Sequence, residues 1–182
     1  MPQSRLIAGH AALLVVDIQE RLCTAMEPQA LERVLNRTGA AIEGAKALQF
    51  PIFVTEQYPR GLGPTNAQVR ERLGGRKPFE KMEFSAAVPD VIAALEGRRQ
   101  VLVVGMETHI CVFQTARDLV ERGFEVWLCA DAVLSRSVED RRVGLELCKE
   151  AGARVTTVES ALFDMMGRAG TPEFKIVSAA VR

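Results

Sequence analysis

The sequence predicts an α/β fold, an open parallel sheet with helices packed on both faces. Two runs, Ala11-Ala12-Leu13-Leu14-Val15-Val16 and Val101-Leu102-Val103-Val104, are apolar without alternation, as strands covered on both sides require. Elsewhere apolar residues recur at helical spacing, as at Leu31, Val34, Leu35, Ile42, Ala45 and Leu48, so strands alternate with helices. Such alternation builds right-handed βαβ units. The 182 residues suit a single domain spanning 1–182.

Taken in order, strand one covers residues 11–16 and ends on Asp17, an acid at the tip of an apolar run. The helix containing Leu31 to Leu48 follows, and Pro51-Ile52-Phe53-Val54-Thr55 supplies strand two. Residues 56–64 are rich in Pro and Gly and read as a loop without regular structure. A short polar helix is expected over 66–73, stopped by Gly74-Gly75, before a brief strand at 78–81 that ends on Lys81. Val88 to Leu95 forms the next helix, with Pro89 in its first turn and Gly97 behind it. Strand four leads into Gly105-Met106-Glu107-Thr108-His109-Ile110-Cys111, which places Cys111 in a helix's first turn. Strand five is expected at 124–128, ending near Cys129 and Asp131. A helix at 137–150, strand six at 155–158, and helices at 160–166 and 173–181 complete the chain.

Charge and composition exclude several functions. Basic and acidic residues balance at 23 each, so no global field would recruit nucleic acid or a membrane surface. Cys23, Cys111, Cys129 and Cys148 follow no zinc or disulfide spacing, which suits a reducing compartment. The stretch from Met1 to His10 has no signal core, and no apolar run approaches the roughly 18 residues of a membrane span. A soluble, cytoplasmic protein is therefore expected. With only His10 and His109 available, most zinc sites and the commonest general base are removed. Neither GxGxxG, GxxxxGK[ST] nor GxSxG occurs at a strand end, which argues against dinucleotide, P-loop and serine-hydrolase chemistry.

Open parallel sheets bind ligands at the carboxyl ends of their strands, and Asp17, Lys81 and Cys111 all fall there. A thiol becomes a nucleophile when a base takes its proton and a cation steadies the charge, roles that suit Asp17 and Lys81. The helix start favours a thiolate near neutral pH. The competing reading of Cys111 is a buried structural cysteine. His109, two residues earlier, points to another face and is expected to cap or pack. Met106, Phe84 and Tyr58 either line a pocket or fill the core, and with Gln19 they make up the candidate substrate contacts.

Val-Val-Asp17-Ile-Gln19, the segment Phe-Glu-Lys81-Met-Glu-Phe-Ser and Gly-Met-Glu-Thr-His-Ile-Cys111-Val together resemble the three signature blocks of the isochorismatase-like cysteine hydrolases. Residues 54–64 and 130–137 further resemble the isochorismatase domain-containing branch. The resemblance implies a three-layer αβα sandwich with a six-stranded parallel sheet in the order 3-2-1-4-5-6. It also implies a Cys111-Asp17-Lys81 triad and a non-proline cis peptide at Met106–Glu107 that aims the amides of Glu107 and Cys111 at a developing oxyanion. Nicotinamidases of the family carry an Asp-x-His metal motif after strand two, whereas this chain has Glu56-Gln57-Tyr58-Pro59-Arg60. The expectation is thus a homo-oligomeric, metal-free cysteine hydrolase with no cofactor, acting on a small amide or related carbonyl compound through a thioester. The alternatives are a binding or redox-sensing protein on the same scaffold and a nicotinamidase- or isochorismatase-type activity. The C-terminal helix, with Phe174, Ile176 and Val177, is a candidate for the interface between copies.

Overall fold

The computed structural model describes residues 5–182; residues 1–4, part of the stretch inspected for a signal core, lie outside them. After a 3₁₀ turn at Ala8–His10 come β1 (Ala11–Val16), α1 (Glu20–Cys23), α2 (Pro28–Ala47), β2 (Ile52–Gln57), α3 (Pro59–Leu62), α4 (Ala67–Leu73) and β3 (Phe79–Lys81). There follow α5 (Pro89–Ala94), β4 (Gln100–Met106), a π-helical turn (Thr108–Val112), α6 (Phe113–Glu121) and β5 (Glu125–Leu134). The remainder is α7 (Val138–Glu150), β6 (Arg154–Thr156), α8 (Val158–Met166) and α9 (Pro172–Ala180). The strands form one parallel sheet of six in the order β3-β2-β1-β4-β5-β6, the order the resemblance implies.

β1 shows why its run is wholly apolar. Side chains alternate across a strand, and here both sides are core. Leu13 and Val15 pack with Val34, Ile42, Leu162 and Val177 from α2, α8 and α9, while Ala12, Leu14 and Val16 pack with Val91, Leu119 and Cys148 from α5, α6 and α7. Each fully buried leucine or valine contributes roughly 1.5–3 kcal/mol relative to exposure. Helix starts are set locally: Glu27, Asn66, Ser137, Thr157 and Thr171 each accept a backbone N–H of the following first turn. Among the described residues no helix is long and apolar enough to cross a membrane.

Several boundaries differ from expectation. The stretch 56–64 is not irregular throughout: β2 runs on to Gln57, which pairs with Lys81, and Pro59 opens the one-turn helix α3 after Tyr58 adopts a φ of 39°. α1 gave no apolar periodicity to read. β5 continues past Asp131 to Leu134 because a bulge lets Val103 pair with Leu128 while Gly105 pairs with Val133. Asp131 does not end the strand; its carboxylate accepts the N–H of Val158 at 2.9 Å. β6 stops at Thr156, since Thr157 caps α8 and Val158 begins it. The expected apolar interface on α9 is mostly spent inward: Val177 is buried and Phe174 packs edge-on against Phe163 at 5.8 Å, which leaves Ile176 exposed.

Gly105 is the tightest point of the sheet. Its φ is 131°, and a Cβ there would lie 2.0 Å from the carbonyl oxygen of Val16. Gly105→Ala should therefore cost at least about 3 kcal/mol, from a disfavoured backbone and a forced β1–β4 separation. At about 2–4 °C per kcal/mol for a chain of this size, thermal unfolding should fall by about 6 °C or more. Gly9→Ala, with nothing within 4 Å, should leave it unchanged.

Candidate active site

Three strand tips converge at the carboxyl edge of the sheet. Asp17 follows β1 in a left-handed conformation with φ 49°, uncommon for a residue with a side chain, and its N–H donates to Thr55 O at 3.3 Å. Lys81 ends β3 in register with Gln57 at the end of β2. Lys81 Nζ donates to Asp17 Oδ2 at 2.6 Å, and both side chains have no solvent exposure. Its other two protons go to the carbonyls of Glu83 and Phe84, each at 3.0 Å, so all three ammonium donors are used. Asp17 Oδ1 accepts from Thr55 Oγ1 at 2.8 Å. Burial pushes the Asp17 carboxyl above the usual carboxylate range, opposed by the Lys81 charge and by its hydrogen bonds.

Cys111 lies inside the π-helical turn that joins β4 to α6, a distortion frequent at functional sites. The peptide bond between Met106 and Glu107 is cis, and the backbone N–H of Glu107 is directed to the Cys111 sulfur. The thiol has one proton and two acceptors in reach, Gln57 Oε1 at 3.3 Å and the Asp17 carboxylate. The expected thiolate near neutral pH does not hold. Burial first, and then the Asp17 charge, push the thiol up to about 12, against the smaller pull of Lys81 and Glu107. Burial also raises Cys23 to about 11 and Cys148 to about 12, so a high thiol pKa does not distinguish Cys111. A hydrogen bond to the buried Asp17 carboxylate does, whereas Glu20 and Asp131 act on Cys23 and Cys129 through charge alone.

The residues offered as substrate contacts separate into two groups. Tyr58 and Phe84, 48% and 52% exposed, stand on the loops after β2 and β3 that flank the thiol. Gln19 and Met106 do not face a ligand. Gln19 is fully buried, and its side-chain amide accepts the N–H of Gln57 at 2.8 Å and donates to the carbonyls of Gln57 and Gly63 at 3.0 and 2.7 Å. It stands in for a missing strand partner at the end of β2 and fixes where Gln57 points. Met106 is fully buried on the α2 side of the sheet. His109 packs as expected, with Nδ1 at 3.0 Å from Ser135 Oγ.

Other residues of the site escaped the sequence reading. Thr55 and Gln57 belong to a polar Thr-Glu-Gln end on the apolar β2, the kind of signal that singled out Asp17. The Glu107 carboxylate is buried, and Oε2 accepts both the N–H and Nε–H of Arg136 at 3.0 Å, which ties the cis peptide to the loop before α7. Thr115 Oγ1 donates to the Cys111 carbonyl at 2.6 Å and accepts the N–H of Ala86 at 2.8 Å, joining the Cys111 turn to the loop that follows Lys81. Gly144 lets α7 lie against this turn; a Cβ there would be 2.7 Å from His109 N. Among the described residues no group of three or more His, Cys, Asp or Glu is placed to hold a metal ion.

Comparison with known proteins agrees with this geometry. Residues 11–160 match the Isochorismatase domain. The chain is 38% identical to the secreted isochorismatase effector Isc1 of Phytophthora sojae (strain P6497), over 98% of this chain and 87% of that one. It is 38% identical to isochorismatase domain-containing protein 1 of Salmo salar, over 97% of this chain but only 62% of that longer protein. A solved structure described as the MAR1 ribonuclease from Caenorhabditis elegans superposes with a TM-score of 0.92 at 36% identity, covering 98% of this chain and 92% of that one. With sheet order, matched span and relatives in agreement, the chain belongs to the isochorismatase family of hydrolases.

Proposed function

We propose that the protein is a metal-free cysteine hydrolase that releases ammonia or an amine from a small amide or related carbonyl compound. The observation that carries this reading is the Cys111 thiol beside a buried carboxylate whose other oxygen is held by Lys81 at 2.6 Å. Because the thiol is pushed up to about 12, it reacts from its neutral form. Asp17 takes the Sγ proton as sulfur bonds to the carbonyl carbon, and burial raises the basicity of that carboxylate for the task. The amides of Glu107 and Cys111 receive the oxyanion, donors of a kind worth roughly 3 kcal/mol each in the transition state. Collapse breaks the C–N bond, and the departing nitrogen takes the proton from Asp17. Water then attacks the thioester, Asp17 accepts its proton and returns it to sulfur, and the acid leaves. Lys81 touches Asp17 throughout and keeps the carboxylate in place.

Tyr58 and Phe84 form the rim that a small, partly apolar substrate would meet. The donor set gives no support to a metal-dependent, nicotinamidase-type reaction, because no histidine follows β2. Isochorismate is a weaker candidate, since cleaving an enol ether needs no thiol. The redox-sensing alternative has less support, because sensor thiols are accessible and low in pKa, whereas Cys111 is 4% exposed and raised. By family resemblance the working form is a homo-oligomer, and the four free cysteines suit a reducing compartment such as the cytoplasm.

A panel of small amides and carbamoyl compounds should give ammonia release that Cys111→Ala abolishes, with no cleavage of an RNA oligonucleotide. Reversible sulfenate formation without turnover of any amide would instead favour the sensor. Asp17→Asn should lower turnover roughly 10²–10⁴-fold, the usual worth of a positioned general base.

The pH dependence of iodoacetamide labelling has a definite sign. In the unmodified protein Cys111 labelling should keep rising past pH 9 without a plateau, since its thiol is held up to about 12. Asp17 raises that value both by its charge and by its hydrogen bond. Asp17→Asn should therefore move the curve to lower pH and speed labelling at pH 8 even as turnover falls. A profile identical in both proteins would remove Asp17 from the neighbourhood of the sulfur.

A further inference from the structure

A separate cleft of about 830 Å³ is bounded by α2, the end of α4, the end of β5, the start of α7 and the end of α9. None of Asp17, Lys81 or Cys111 lines it. The chain as a whole is electrically balanced, yet Arg33, Arg37, Arg72, Arg136, Arg141 and Arg182 line this one cleft against only two acids, Glu27 and Asp131. Both acids are turned to structural work. The Glu27 carboxylate caps α2 through the N–H groups of Gln29 and Ala30 at 2.9 and 2.6 Å. Asp131 accepts from Val158 N and faces Arg37 Nε at 3.7 Å.

Three of the guanidinium groups, those of Arg37, Arg136 and Arg141, are held in place by the fold. Arg37 Nη1 donates to Val181 O at 2.6 Å. Arg141 donates from Nε to Val133 O at 3.0 Å and from Nη2 to Ala130 O. Arg136 uses Nε on Glu107. These bonds leave Nη2 of Arg37, Nη1 of Arg141 and both Nη atoms of Arg136 uncommitted among the described residues. Arg72 lies against α2 where Gly39 makes room; a Cβ there would be 2.5 Å from its Nη1. Guanidinium forks oriented in advance lose little entropy on binding, and their geometry matches phosphate oxygens.

We propose that this cleft binds a small ligand carrying a di- or triphosphate. The cations are all arginine, they converge from four elements on one concavity, and the volume exceeds what a single phosphate fills. A long polyanion would instead call for a basic stripe extending beyond one concavity. Asp17, Lys81 and Cys111 stand apart from the cleft, which meets the thiol site only through Arg136 and its bond to the Glu107 carboxylate.

Inorganic pyrophosphate titrated calorimetrically into the full chain at physiological ionic strength is the test. Saturable binding is expected, unchanged in Cys111→Ala and weakened at least about tenfold when Arg33→Glu and Arg72→Glu are combined. Both side chains are exposed, so the double variant should unfold at the same temperature as the parent. Arg98→Glu, at the opposite edge of the sheet where Arg98 bonds Gly9 O, should bind normally. Absence of binding, or equal affinity in the double variant, overturns the proposal. So does an oligonucleotide that binds more tightly with length while pyrophosphate does not. A change in sedimentation of the double variant with pyrophosphate affinity intact would mark the face as a contact between copies and overturn it as well.

Discussion

The buried ion pair between Asp17 and Lys81 is the constraint on which the rest of this structure depends. Two opposite charges with no solvent exposure, 2.6 Å apart, are tolerable only because each is fully engaged. The ammonium spends its remaining protons on two carbonyls, and the carboxylate its other oxygen on Thr55. Losing either partner would strand a charge in the interior, at a cost of about 3–5 kcal/mol. The sheet is arranged to prevent that. β3 is only three residues long, and its register against β2 sets Lys81 beside Gln57 and across from the end of β1.

The thiol is governed by the same pair. A cysteine this buried is a poor acid anywhere in the chain, as Cys23 and Cys148 show. Cys111 differs in being hydrogen-bonded to a carboxylate that burial raises in basicity and a lysine steadies; Glu20 acts on Cys23 through charge alone. On the proposed mechanism this arrangement serves proton transfer during attack in place of a standing thiolate. Around it the backbone is pressed together. Gly105 lets β4 approach β1, Gly144 lets α7 approach the Cys111 turn, and Thr115 and Arg136 bind that turn to loops from both sides.

The arginine cleft follows a different electrostatic design. Between Asp17 and Lys81, charges are balanced, dry and mutually satisfied. In the cleft the acids are drawn into caps and a side-chain pair, while guanidinium edges stay open to solvent. Arg136 belongs to both regions: it lines the cleft, and it holds the Glu107 carboxylate whose backbone N–H faces the sulfur.

Local patterns were sufficient for the parallel α/β fold and for nominating Asp17, Lys81 and Cys111, because an ionisable or nucleophilic residue at the end of an apolar strand is visible without knowing its neighbours. Local reading failed where contacts distant in sequence decide. Asp131 looked like the end of β5 and instead accepts the first N–H of α8; Gln19, a candidate substrate contact, is a surrogate strand partner for Gln57; Met106, open between pocket wall and core filler, is core. Likewise the helix start suggested a thiolate, but the protonation of Cys111 is set by a carboxylate 94 positions away in sequence, and by burial that no short segment encodes. Residue type and spacing specify strands, helices and their tips; the partners and dielectric of a buried side chain exist only once the layers have packed.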